Sequence, residues 1–255
     1  MRSAFTLRKR LATGEEAYGL FCSVPAAIMV ELIAAAGYHF IIIDLEHTLI
    51  TGDQLEAMLL AARANGVAAL VRVAALSQVL PVLDAGAEGV VFPRIRSAQQ
   101  AHEAVSLCRY WPDGERGLNA TRDSRYARDS LTDYLVEANC GVMVWLMIED
   151  IEGLQHLNQI ATVAGIDVLL EGAADLSQSF GLPWQTRHST VREGLATIHS
   201  IANQHGLHFC ALPRAAQDHS DWREKGVRLF IVGDDRGLTW RGMAAHLSQY
   251  QLNQQ

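Results

Sequence analysis

The sequence predicts an α/β fold, a (β/α)8 TIM barrel, and three observations carry that prediction. Eight β-rich runs alternate with longer helical patterns along the chain. Several of those runs are continuously apolar instead of alternating, as strands buried on both faces of a parallel sheet require. Eight β-α units in 255 residues also match the usual barrel size of about 250 residues, whereas a doubly wound open sheet more often has about five or six strands and a glycine-rich first turn.

The strand candidates are residues 19–24, 40–45, 68–73, 89–93, 142–149, 167–172, 208–213 and 227–233. Phe40-Ile41-Ile42-Ile43 is typical of them: strand-sized, apolar and β-branched. Helical patterns cover 26–36, 53–64, 97–108, 153–163, 189–205 and 237–248. Thr51 and Ser97 stand where caps are expected, and Gly37, Gly66 and Gly206 follow the ends of three helical patterns. The one irregularity is an insertion between strands four and five, residues 94–141. It holds a helix, the polar turn Trp111-Pro112-Asp113-Gly114-Glu115-Arg116-Gly117, an arginine-rich stretch and a further short helix. Insertions of this length form lids or oligomer contacts. No linker, low-complexity stretch or further repeat interrupts the alternation, so residues 1–255 read as a single barrel domain.

Composition narrows the partners. The chain is 49% hydrophobic and 19% charged, with a net charge of −7. A chain of that sign has no general electrostatic attraction to nucleic acid or anionic lipid. No run approaches the roughly 18 to 20 apolar residues that span a bilayer, and Glu15 and Glu16 interrupt the N-terminal stretch where a secretion signal would be apolar. The expectation is a cytoplasmic protein. Cys22, Cys108, Cys140 and Cys210 are too scattered for a zinc site and read as reduced, mostly buried thiols. Neither G-x-G-x-x-G after a strand nor G-x-x-x-x-G-K-[ST] is present, so nucleotide cofactors have no support.

Chemistry in this fold sits at the C-terminal ends of the strands. There the sequence places Asp44-Leu45-Glu46-His47, Arg72, Pro93-Arg94, Glu149-Asp150, Glu171-Gly172-Ala173-Ala174-Asp175, Pro213-Arg214 and Asp234-Asp235. Glu149 and Asp175 offer hard oxygens without cysteine or a second histidine, which favours Mg2+ or Mn2+ with positions open to water or substrate. Such an ion would chelate a small-molecule 2-oxo acid, and Arg72 would help to stabilise an adjacent enolate. His47 is the candidate proton-transfer group, with Asp44 expected to hold its other ring nitrogen. Arg94, Arg122 and Arg125 form a candidate anion-binding rim. Asp150 and Glu152 read as first-turn helix charges, Asp84 and Glu88 as surface, and Trp145 and Met147 as core or pocket wall.

These residues carry a resemblance. Asp44-x-Glu46-His47, Val71-Arg72-Val73, Asp84-Ala85-Gly86-Ala87-x-Gly89, Ile148-Glu149, Gly172-x-Ala174-Asp175-Leu176-Ser177 and Val232-Gly233-x-Asp235 fall in the order found in the HpcH/HpaI aldolases, the metal-dependent pyruvate aldolases related to the citrate lyase beta subunit. The resemblance implies a divalent metal on Glu149 and Asp175, His47 with Asp44 as acid-base pair, Arg72 as the enolate-stabilising cation, and Gly172, Ala173 and Ala174 as the seat of the substrate carboxylate. It also implies a homo-oligomer, often a hexamer, with partner subunits contributing to the site. Three positions depart from the aldolase pattern: Met147 replaces a common glutamine, and Glu171 and Ala173 flank Gly172 where an apolar residue and a proline are usual. The turn after His47 also runs Thr48-Leu49-Ile50. The first expectation is a pyruvate-releasing 2-oxo acid aldolase. The alternative is a branch of the same superfamily that runs in the bond-forming direction, making citrate from oxaloacetate and acetyl-CoA for carboxylate siderophores. Residues 171–179 and 19–23 are similar to that branch. A non-catalytic barrel scaffold is the reading of another class.

Overall fold

The computed structural model describes residues 6–128 and 130–251. In chain order the elements are α1 (Thr6–Ala12), β1 (Ala17–Cys22), α2 (Ala27–Ala35), β2 (Phe40–Asp44), α3 (Gly52–Asn65), β3 (Ala68–Arg72), α4 (Val79–Asp84), β4 (Gly89–Phe92), α5 (Ala98–Cys108), α6 (Leu131–Gly141), β5 (Met143–Ile148), α7 (Ile151–Gln155), α8 (Leu157–Ala161), β6 (Val168–Glu171), α9 (Ala173–Ser179), α10 (Ser189–Gln204), β7 (His208–Ala211), α11 (Ala216–Glu224), β8 (Leu229–Asp234) and α12 (Asp235–Gln251). The eight strands are parallel, pair in sequence order and close β8 onto β1, giving the expected (β/α)8 barrel.

Side chains alternate across each strand, so the barrel has two apolar layers. Phe40 and Ile42, Leu70, Val91, Met143, Trp145 and Met147, Val168 and Leu170, and Leu229 and Ile231 fill the interior. Ile41 and Ile43, Val71, Val90, Val144, Leu146 and Ile148, Leu169 and Phe230 belong to the outer layer that meets the helices. Leu7 and Leu11 of α1 pack onto the interior layer, so this short helix stoppers the barrel at the end remote from the strand C-termini. Phe40 and Trp145 fill the middle, with ring centroids 5.6 Å apart. Gly19 makes room for them: a Cβ built there would lie 2.4 Å from the Phe40 ring.

Element ends differ from the sequence expectation for identifiable reasons. β1 stops at Cys22 because the Ser23 and Val24 amides donate to the Asp235 carboxylate, at 2.9–3.0 Å, instead of extending the ladder. β8 starts at Leu229 because the Val227 amide bonds back to the Trp222 carbonyl. The helix expected over 153–163 is two short helices meeting at His156, whose φ and ψ of −97° and 5° leave the helical region. Asp84 is not surface: it accepts from the fully buried Arg116 of the insertion at 3.1 Å, and Arg116 also lies 3.9 Å from Asp123 and stacks on Tyr110. A buried arginine network thus ties the insertion to the barrel. Cys22, Cys108 and Cys210 are buried and free, while Cys140 is exposed. Among the described residues, no helix is long and apolar enough to cross a membrane.

Gly19→Ala tests the interior packing. The added methyl would overpack the Phe40–Trp145 layer and should lower stability by about 1–3 kcal/mol, read as a fall in the urea midpoint at an unchanged slope.

Candidate active site

Inward-facing positions recur every second residue, which sets who meets at the strand C-termini. Asp44 follows Phe40 and Ile42, Arg72 follows Ala68 and Leu70, and Glu149 follows Trp145 and Met147, so all three continue the interior face. Asp44 and Arg72 are register partners across β2 and β3. Both are buried and form a bidentate pair, Arg72 Nε to Asp44 Oδ1 at 2.9 Å and Nη2 to Oδ2 at 2.8 Å. Burial pushes the Asp44 carboxyl upward in pKa. The Arg72 hydrogen bonds and charge, with amide donation from Glu46 and His47, outweigh that and hold it below its ordinary value.

Asp44 therefore orients Arg72 and the His47 backbone, and among the described residues it makes no contact with the imidazole. The carboxylate nearest that ring belongs to Glu46, with Oε2 3.7 Å from His47 Nε2. Glu46 also lies 3.2 Å from Arg72 Nη1 and 3.4 Å from Arg94 Nη2, so it sits at the centre of the charged group. The Asp44-x-Glu46 spacing was the available signal: two residues beyond an inward aspartate, the next carboxylate is on the same side.

Glu149 is 3% exposed. Its Oε1 accepts the Arg94 amide at 2.7 Å. Arg94 directs that amide from φ +55°, the left-handed region disfavoured for a side-chain-bearing residue, a local strain of order 1–3 kcal/mol. Burial raises the Glu149 carboxyl to about 7; the Arg94 amide opposes this, and the charges of Asp175 and Glu46 add to it. Gly172 allows the close approach of β6, since a Cβ there would lie 2.3 Å from Glu149 Cβ. Asp175 comes from the first turn of α9, a helix where the sequence suggested a loop.

Asp44, His47, Arg72, Met147, Gly172, Ala174 and Asp175 line one cavity of about 910 Å3, whose wall continues to Trp184, Arg214, Arg236 and Arg241. Ala173 turns away and lines a smaller side cavity with Glu171. Arg122 pairs with Glu56 of α3 at 2.8 Å, and Arg125 lies in a turn over Arg125–Ala127; neither lines the mouth. The arginines on the rim are those of the β7 and β8 ends.

Glu149 and Asp175 are hard oxygen donors, and the charge of Asp175 adds to the cost of ionising Glu149. That donor set fits a divalent ion of the Mg2+ or Mn2+ kind. Among the described residues no group of three His, Cys, Asp or Glu could hold a metal, so protein would supply two ligands and water or substrate the rest.

The sequence matches the family model HpcH/HpaI aldolase/citrate lyase over residues 17–241. The chain belongs to the HpcH/HpaI aldolase/citrate lyase family. It is 33% identical over 244 residues to a hydroxypyruvate/pyruvate aldolase of Paraburkholderia phytofirmans, covering 91% of this chain and 93% of that protein. It is 34% identical over 252 residues to a 2-keto-3-deoxy-L-rhamnonate aldolase of Escherichia coli O9:H4 (strain HS), covering 96% and 92%. The crystal structure of the citrate synthase SbnG matches it with a TM-score of 0.92 and 41% identity over 98% of each chain.

Glu171, where the sequence departs from the expected aldolase pattern, is placed outside the main cavity. It follows Leu170, an interior residue, and so faces outward into the helix layer, 1% exposed. Its Oε1 accepts the Leu212 amide at 2.6 Å, and among the described residues its Oε2 has no hydrogen-bond partner. Burial raises this carboxyl to about 7, opposed by the Leu212 amide and the charge of Arg214. A folded-state pKa above the unfolded 4.5 gives stability that is present in acid and lost as pH rises from 4.5 to about 7. Glu171→Gln should flatten the fall in the unfolding free energy over that window; a slope equal to that of the unsubstituted protein would remove Glu171 as its cause.

Proposed function

We propose that this enzyme forms a carbon-carbon bond to a 2-oxo acid, condensing oxaloacetate with acetyl-CoA to give citrate. The observation that carries the reading is the match to citrate synthase SbnG, at 41% identity over 98% of both chains against 33–34% for the two aldolases. Met147, the one altered position of the three that lines the cavity, points the same way. Met147 places its Sδ 3.9 Å from Arg72 Nη1, so an apolar thioether lies beside the cation at the position of the aldolases' amide.

The oxo acid is seated over Arg72, whose planar guanidinium is fixed by Asp44 below, by the Phe21 ring at 4.7 Å and by Glu46 beside it. A cation held this rigidly costs little reorganisation when negative charge develops on the former keto oxygen. Gly172 and Ala174 form the opposite wall and receive the substrate carboxylate. His47, with 52% of its side chain exposed and a carboxylate 3.7 Å from Nε2, is placed to carry the proton between the thioester methyl group and the new alkoxide. The methyl carbon, after losing that proton, bonds to the keto carbon; water then cleaves the thioester, releasing free thiol and citrate. Glu149 and Asp175 would hold a divalent cation, which supplies Lewis-acid polarisation of the keto oxygen when bound.

The aldolase relatives favour a second reading, cleavage of a hydroxylated 2-oxo acid to pyruvate at the same residues. A homo-oligomer, a hexamer by the family resemblance, is supported by α12: of its 17 residues only Asp235 is buried, while Trp240, Met243, Leu247 and Tyr250 are exposed.

Oxaloacetate-dependent thiol release from acetyl-CoA tests the reaction. We expect turnover, lowered by about 10²-fold or more in His47→Ala with the thermal transition unchanged. Cleavage of 2-oxo-3-deoxy sugar acids without any thiol release would instead establish the second reading. Chelation should depress turnover if Glu149 and Asp175 hold the metal. Full turnover in chelator would leave Glu149 as a proton-transferring carboxyl, a use that its pKa near 7 also suits.

A further inference from the structure

The cavity is far larger than an oxo acid of a few carbons requires: at about 910 Å3 it is on the scale that encloses a whole drug-sized ligand. Its outer wall has a distinct chemistry. Arg214 follows β7, and Arg236 and Arg241 project from α12, so the cations reach one rim from two elements. Nearby arginines are neutralised: Arg187 by Asp218 at 3.3 Å and Arg192 by Asp221 at 3.4 Å. Among the described residues, the guanidinium groups of Arg214, Arg236 and Arg241 have no carboxylate within ion-pair distance. Three exposed guanidiniums without an ion-pair partner among the described residues outnumber the Asp234 carboxylate on the same wall, leaving local positive charge at this opening in a chain of net charge −7.

Trp184 shares that rim. Its side chain is 79% exposed, and its backbone holds φ +64°, a region that bulky residues rarely occupy. The result is a flat apolar ring presented to solvent beside three cations, where packing has no use for it. A planar heteroaromatic ring joined to several phosphates is the ligand chemistry that matches both features: the ring stacks on indole and the phosphates take the guanidinium forks.

We infer that Trp184, Arg214, Arg236 and Arg241 form a nucleotide subsite that holds the adenine ring and phosphates of coenzyme A while the thioester end of the same molecule reaches Arg72 and His47. This rests on the condensing reading of the site. The subsite serves binding alone, so it should act on the thioester KM and not on the acid-base step. The rim and the reacting groups Arg72 and His47 line the same cavity.

The test compares acetyl-CoA with S-acetylpantetheine, which keeps the arm and lacks the nucleotide, each with oxaloacetate. The KM for acetylpantetheine should exceed that for acetyl-CoA by about tenfold or more, and the ratio should fall toward one in Trp184→Ala and in Arg241→Gln. Raised ionic strength should shrink the same ratio. Binding of adenosine 3′,5′-bisphosphate, followed by calorimetry on the full-length protein, separates this inference from the reaction. If that nucleotide binds and Trp184→Ala weakens it, the subsite stands even where neither thioester releases thiol, and only the condensing reading falls. If both thioesters release thiol with equal KM, or the ratio survives in both variants, the condensing reading stands and the subsite is overturned. Inorganic phosphate competing as well as the bisphosphate would also overturn it, since the arginines would then be reading phosphate alone.

Discussion

The buried ion pair between Asp44 and Arg72 is the interaction on which the rest of the site depends. Taking either charge into the barrel alone would be prohibitive, and removing one partner of such a pair costs about 3–5 kcal/mol. The pair exists because β2 and β3 put these residues side by side in register, both facing inward. Two parallel hydrogen bonds use one edge of the guanidinium and leave Nη1 toward Glu46 and the cavity. Phe21 closes one face of that group, and the Phe40–Trp145 layer blocks the barrel beneath it. In the proposed reaction the substrate would therefore meet a cation whose position is settled before it arrives.

Around this fixed point the site carries features that a stability-driven core would avoid. Among the described residues, buried Glu149 has only an amide as hydrogen-bond partner, and Arg94 adopts a left-handed backbone to supply it. Asp175 and Glu46 add like charge nearby. Groups set this way bind or release a cation or a proton with modest changes in free energy near neutral pH, which is what bond making beside a carbonyl requires. Stability is recovered elsewhere: in the interior layer, in the α1 stopper, in the Arg116 network and in the Asp235 carboxylate that gathers the Ser23, Val24 and Arg236 amides.

Much of this was legible in the sequence. Apolar runs such as Phe40 to Ile43 mark strands buried on both faces, and the positions of Asp44, Arg72 and Glu149 directly after such runs place them at the strand ends. Register was not legible, so Asp44 was matched with its sequence neighbour His47 when its partner is Arg72 on the next strand. Following strand parity would have helped further: Glu46 continues the inward face of Asp44, and Glu171, next to inward Leu170, must turn outward. The rim was beyond sequence reading for a different reason. Arg122 and Arg125 lie in an arginine-rich stretch that folds elsewhere, while Trp184, Arg214, Arg236 and Arg241 converge only through a left-handed loop residue and the departure angle of α12.

The central claim is that the oxo acid over Arg72 is the electrophile and that another molecule loses the proton. Deuterium incorporation into the methyl group of pyruvate in D2O, followed by NMR with Mg2+ and without it, measures this directly. Pyruvate is expected to keep its methyl protons in the presence of folded protein under both conditions. Metal-dependent exchange into pyruvate that is lost in His47→Ala would contradict it, because the oxo acid would then itself be the carbon acid and the site an aldolase.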